Sequence, residues 1–102
     1  MHELLKGFID DPWWLMPKSM SENLNKELTK ELSPSHQLYG KFAVAVARRA
    51  DNDDVIFWID ELNKYAVIHL TYSKETSSEF PITTLYTLSE LEKHCRNISS
   101  IY

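Results

Sequence analysis

Glycine is scarce in this chain: Gly7 and Gly40 are the two in 102 residues, and Cys95 is the single cysteine. With so little glycine there is no loop whose bare backbone amides could cradle a phosphate, which argues against nucleotide cofactors held that way. One cysteine excludes an intramolecular disulfide and supplies too few ligands for a structural zinc set, and no Cys-x-x-Cys or His-x-x-x-His spacing is present. Positive charge is also limited. The 11 Lys and Arg against 15 Asp and Glu give a formal charge of −4, and no basic block exceeds the pair Arg48-Arg49. Nucleic-acid binding, which draws its affinity from clustered cations, is therefore disfavoured, and the overall field suits a basic or neutral partner. No stretch approaches the roughly 18 apolar residues of a membrane span, and Met1 to Lys6 lacks the basic start and apolar run of a signal peptide. These absences read together as a cytoplasmic protein, with no cofactor, metal or membrane segment expected.

What is present is the mixture of a globular protein: 43% hydrophobic and 25% charged residues. The length suits one domain over 1–102. An N-terminal apolar segment, 1–18, begins with a soft helix expected over 3–9, where Leu4, Leu5, Phe8 and Ile9 share a face although Gly7 weakens it. Trp13 to Met16 then form an apolar knot between Pro12 and Pro17, anchored by its side chains. Ser19 and Glu22 have capping-box spacing, and Met20, Leu24, Leu28 and Leu32 recur every four residues, which predicts a helix over about 20–32 within the segment 19–33. From 41 to 86 the composition turns to β-branched and aromatic residues, predicting an antiparallel meander with strands near 41–48, 54–60 and 65–72. Pro81 confines a fourth strand, 82–86, to an edge. Thr87 and Glu90 repeat the capping-box spacing ahead of a C-terminal helix, 87–99, whose inner stripe is Leu88, Leu91, Cys95 and Ile98. The fold class is α+β.

Period-two alternation separates the two faces of the meander. Placing Ala47 opposite Val55, Ala45 opposite Phe57, Phe57 opposite Ile68 and Ile59 opposite Ala66 gathers Ala43, Ala45, Ala47, Phe57 and Ile68 on one face. Its alanines leave room for both helices. The other face collects Phe42, Val44, Val46, Ile56, Trp58, Tyr65, Val67 and His69, too apolar for water, so a second cover is required. Two covers compete: the N-terminal segment with Phe8, Trp13, Trp14 and Leu15, or a second protein chain.

Candidate chemistry is sparse. Asp51-Asn52-Asp53-Asp54 lacks the Gly and Glu of a calcium loop and reads as a solvated hairpin, with Arg48 opposite Asp54 as an ion pair. Adjacent on one helix, His94 and Cys95 point about 100° apart and do not form a joint nucleophile site, so Cys95 reads as a small core residue. His36 likewise belongs to no metal-ligand pattern. His69 lies among aromatic residues and can titrate; with Tyr65, Thr71, Trp58 or Tyr39 beside it, it would make an acid-base site in a shallow pocket.

The runs HQLYGKFAVAVARRADNDDVIFW, YAVIHLTYS and FPITTLY, over about residues 36–86, resemble a family of small bacterial α+β proteins with no agreed activity, and the resemblance implies the fold. The leading expectation is a non-catalytic protein that binds a partner or itself, as a homodimer or in the manner of immunity and regulatory proteins. Trp13, Trp14, Trp58, Tyr65 and His69 are the candidate binding residues, and no catalytic residue is assigned. The alternative is a small-molecule binding or hydrolytic domain built on His69.

Overall fold

The computed structural model describes residues 5–101 and shows an α+β fold with one five-stranded antiparallel sheet and two helices. The strands are β1 (Trp13–Leu15), β2 (Ala43–Arg49), β3 (Asp54–Ile59), β4 (Lys64–His69) and β5 (Ile82–Tyr86), paired in sequence order. Helix α1 (Lys18–Glu31) separates β1 from β2, and helix α2 (Leu88–Ile101) closes the chain.

The fifth strand is the Trp13-Trp14-Leu15 knot. It pairs with β2 through Trp13 opposite Arg49, Trp14 opposite Arg48 and Leu15 opposite Ala47. Flanking prolines are tolerated because this is an edge strand, and Pro12 still offers its carbonyl to the Ala50 N–H at 2.8 Å. Of the helix expected over 3–9, residues 3 and 4 lie outside the described residues. The rest is a single turn in which the Phe8 and Ile9 N–H groups meet the Leu5 carbonyl at 3.0 and 2.9 Å. Gly7, poor at holding a helix, stands in that turn.

Helix α1 starts earlier than the Ser19 signal. Pro17 is its N-cap, and the Pro17 carbonyl receives the Met20 and Ser21 N–H groups. The capping box at α2 does form: Thr87 N–H donates to Glu90 at 2.8 Å, and Glu90 N–H donates to Thr87 Oγ1 at 3.3 Å.

The pairing of β2 with β3 contains a bulge. Ala45 lies opposite Phe57 as expected, but Ala47 lies opposite Ile56 rather than Val55. Val46 is the extra residue, so Val46 and Ala47 both serve the second face, and every side chain beyond changes sides. Arg49, not Arg48, thereby reaches Asp54, at 3.8 Å. The β3–β4 register also departs from expectation by two residues, with Phe57 opposite Ala66 and Val55 opposite Ile68. A two-residue shift preserves the faces, so the apolar sets survive it.

Two cores result. On the first face Leu24 and Leu28 of α1 pack with Ala45, Phe57, Ala66 and Ile68, the small alanines admitting the helix. On the second, Leu91 and Cys95 of α2 join Leu5, Phe8 and Trp13 over Val46, Ile56 and Val67. The C-terminal helix thus crosses to the face opposite the one expected, and the second face is covered from within the chain by both of its ends. Each fully buried aliphatic or aromatic side chain contributes about 1.5 to 3 kcal/mol before entropy is subtracted.

The long β4–β5 connection is tied to α1 by a buried carboxylate. Glu31, wholly inaccessible, accepts hydrogen bonds from Thr71 N–H (2.8 Å), Thr71 Oγ1 (3.1 Å) and Tyr72 N–H (2.8 Å). Tyr72 sits at φ 57°, an unfavourable region for a bulky side chain, and its N–H is held there by Glu31. This ends β4 short of the expected residue 72. Burial, reinforced by the Glu27 carboxyl one turn back, holds the pKa of Glu31 above the ordinary carboxylate range against the pull of these donors.

Replacing Glu31 by Ala leaves buried N–H groups unmatched and is expected to lower unfolding free energy by about 2 to 4 kcal/mol in urea titration, with Glu31→Gln milder. A loss below about 0.5 kcal/mol for Glu31→Ala would show that the carboxylate does not hold the connection.

Candidate functional site

Beyond Leu15 the short strand β1 ends, and the outer edge of β2 is left without a strand neighbour. Helix α1 closes part of it: Ala45 N–H donates to Asn25 Oδ1, and Ser21 Oγ donates to the Ala45 carbonyl, both at 2.7 Å. By the alternation of an antiparallel ladder, Ala43 turns its N–H and C=O the same way. A cleft of about 880 Å³ opens there between α1 and the start of β2.

Leu28, Leu32, Pro34 and Ala43 supply its apolar lining. Tyr39 and Phe42 stand at its mouth, 53% and 65% exposed. Gly40, at φ +77°, makes the turn that brings these two rings to the same opening, a conformation that favours glycine. A second cavity, about 430 Å³, shares Leu32, Tyr39 and Phe42 and reaches Glu61, whose carboxylate is bound to the Phe42 N–H at 2.9 and 3.0 Å. Four of the chain's eight lysines line the cleft: Lys26, Lys30, Lys41 and Lys74. Lys30 pairs with Glu27 at 3.5 Å, whereas among the described residues Lys26, Lys41 and Lys74 make no ion pair.

Of the residues singled out from sequence, Trp13, Trp58 and Tyr65 share the second core, while Trp14 faces the first and His69 stands apart. Trp13 is buried in the second core, with Arg49 over its ring at 5.7 Å. Its neighbour Trp14 faces the first core, with Arg48 at 6.0 Å from its ring. Trp58 and Tyr65 pack edge to face at 4.9 Å, and Trp58 Nε1 donates to Asp60 at 3.3 Å. Burial pushes the Tyr65 phenol pKa up. His69 lies four residues along β4 from Tyr65, about 13 Å away in an extended strand. It is half exposed and bonded to Asp54 at 2.8 Å. Thr71 is committed to Glu31 and Glu75, and Tyr39 belongs to the cleft. The hydroxyl groups expected near His69 are therefore elsewhere.

The hairpin loop carries the polar network that Asp and Asn suggested. Asn52 Oδ1 accepts the Asp54 N–H at 2.8 Å, and Arg49 grips Asp51 with two hydrogen bonds, which holds the Asp51 carboxyl below its ordinary pKa. His36 has a structural part: its Nδ1 accepts the Leu38 N–H at 3.1 Å, which leaves Nε2 to donate to the Pro81 carbonyl at 3.0 Å. Cys95 is buried, its thiol pushed up to about 12 by desolvation, so it is not a nucleophile. Among the described residues no group of three His, Cys, Asp or Glu could hold a metal ion, and no helix is long and apolar enough to cross a membrane. No family model, curated protein or solved structure matches the chain.

His94 is a further titratable group, half-buried at the border of the second core. It stacks on Tyr86 at 5.1 Å, shares a hydrogen bond of 3.3 Å between its Nδ1 and the Tyr86 hydroxyl, and meets Trp13 edge-on at 6.0 Å. Burial lowers its pKa, with nearby Asp54 opposing this and Arg49 adding to it. The unfolded chain then binds the proton more readily, so the stabilisation is complete above the ordinary histidine pKa and is lost as pH falls toward the lowered folded value. Denaturant midpoints measured from pH 7.5 to 5.5 are expected to fall more for the wild type than for His94→Gln, the difference cancelling the opposite contribution of Glu31. Parallel slopes for the two proteins would remove His94 from the pH dependence.

Proposed function

We propose that this chain is a non-catalytic binding protein that receives a peptide segment of another protein in the cleft between α1 and the unpaired start of β2. The observation that carries the reading is the pair of exposed rings, Tyr39 and Phe42, held at the mouth of an apolar cleft. Large apolar side chains left in water around a concavity are a mark of interaction surfaces. The backbone groups of Ala43 favour a peptide as the occupant, since a peptide unit offers the matching donor and acceptor.

The interaction reading thus moves from the second face, where the chain's own residues supply the cover for which a second protein chain is the competing expectation, to the flank of the first. Binding by occupation is how immunity and regulatory proteins act, and the resemblance to small bacterial α+β proteins accords with such a role in the cytoplasm. Against the hydrolytic alternative, the Thr71 hydroxyl is bonded to Glu31 and Glu75 and Tyr39 belongs to the cleft, so His69, although bonded to Asp54, lacks these expected partners.

Selection of peptides from a random display library is expected to yield sequences with aromatic or aliphatic anchors. Their affinity should drop at least about tenfold on Phe42→Ser, the loss typical of a buried anchor contact. In amide NMR spectra they should perturb Thr29, Leu32 and Phe42. Selected peptides that bind Phe42→Ser equally well, or perturb the His69 region instead, would overturn the assignment.

A further inference from the structure

Resting on that reading of the cleft, we infer that the segment it receives is acidic, an apolar peptide flanked by Asp or Glu. The net charge of −4 points the other way, toward basic or neutral partners, but it is not what a partner meets at this surface. Lysines 26, 30, 41 and 74 line the cleft, and among the described residues no carboxylate does; Glu61 lines the adjoining cavity, bound to the Phe42 N–H, and Glu27 offsets Lys30. Lys26 and Lys30 are one turn apart on α1, about 6 Å along its axis, and form one wall. Lys41, two residues ahead of β2, and Lys74, from the β4–β5 connection, are brought in by other parts of the chain. Charges converging from three parts of the chain around an apolar floor are complementary to an acidic amphipathic segment. An occupant in contact with these lysine-lined walls meets their charge at a few ångströms, whereas charges beyond a Debye length of about 8 to 10 Å at ordinary salt are screened from it.

The test uses the intact protein and three pools of 14-residue peptides that share the same randomised apolar positions, with every other position Glu, Gln or Lys. In fluorescence anisotropy at 50 mM NaCl the Glu pool is expected to bind about tenfold more tightly than the Gln pool, from several partly screened pairs, and the Lys pool more weakly than either. At 500 mM NaCl the advantage should shrink to below about threefold. The variant combining Lys26→Glu, Lys41→Glu and Lys74→Glu should prefer Gln over Glu peptides. Should it fail to fold, the salt series on the wild type decides. Equal binding of Glu and Gln pools overturns the charge inference and leaves the cleft as a peptide site. Failure of every pool overturns both, and displacement of a cleft probe by dodecanoate without any peptide binding would assign the lysines to a small amphiphile instead.

Discussion

Both faces of the sheet are apolar, and neither can be left against water without forfeiting the burial that holds the fold together. Val55, Phe57 and Ile68 on one side and Val46, Ile56 and Val67 on the other are nearly or wholly inaccessible. With about a hundred residues, the chain must find two covering layers within itself or borrow one. It finds both. Helix α1 lies on the first face, and the two ends of the chain meet on the second, where Leu5, Phe8 and Trp13 pack with Leu91 and Cys95.

That division of labour determines what remains at the surface. Because β1 pairs with only the last part of β2, α1 must satisfy the exposed edge with Ser21 and Asn25, and it leaves the start of β2 beside an open cleft. The turn at Gly40 then places Tyr39 and Phe42 outside the core that the neighbouring strand residues enter. The cleft is thus a consequence of how the first face is covered, and the proposed function rests on that geometry.

Much of this architecture is legible in the residues. The four-residue spacing of Leu24 and Leu28, the capping box at Thr87 and the alternation along β3 and β4 are local signals, and each corresponds to an observed element. Side assignments are harder, because a single bulge at Val46 reverses every side chain after it and nothing in Ala-Val-Ala-Val-Ala-Arg-Arg marks which residue is extra. For the same reason simple alternation sets Arg48 opposite Asp54, whereas Arg49 holds that place. The face taken by α2 is a tertiary choice, decided by the company of Trp13 and Phe8 rather than by its own stripe. The candidate site was hidden because its parts lie far apart in sequence: Lys26 and Lys30 on a helix, Tyr39 to Ala43 after a turn, and Lys74 in a long connection. The i, i+4 lysine pair and the Lys41-Phe42 step, a cation beside an apolar ring, are the hints the sequence offers. Aromatic residues such as Trp13 and Tyr65 have the chemistry of binding groups, yet their large apolar area is what places them in the core.

The two-sided covering is tested most directly by nuclear Overhauser contacts in methyl-labelled protein. The account predicts cross-peaks from Leu91 to Val46, Ile56 and Val67 within one molecule, and from Leu28 to Val55 and Ile68. Contacts from Leu91 to Val55 and Ile68, or contacts to Val46 and Val67 that arise only between differently labelled molecules, would contradict it.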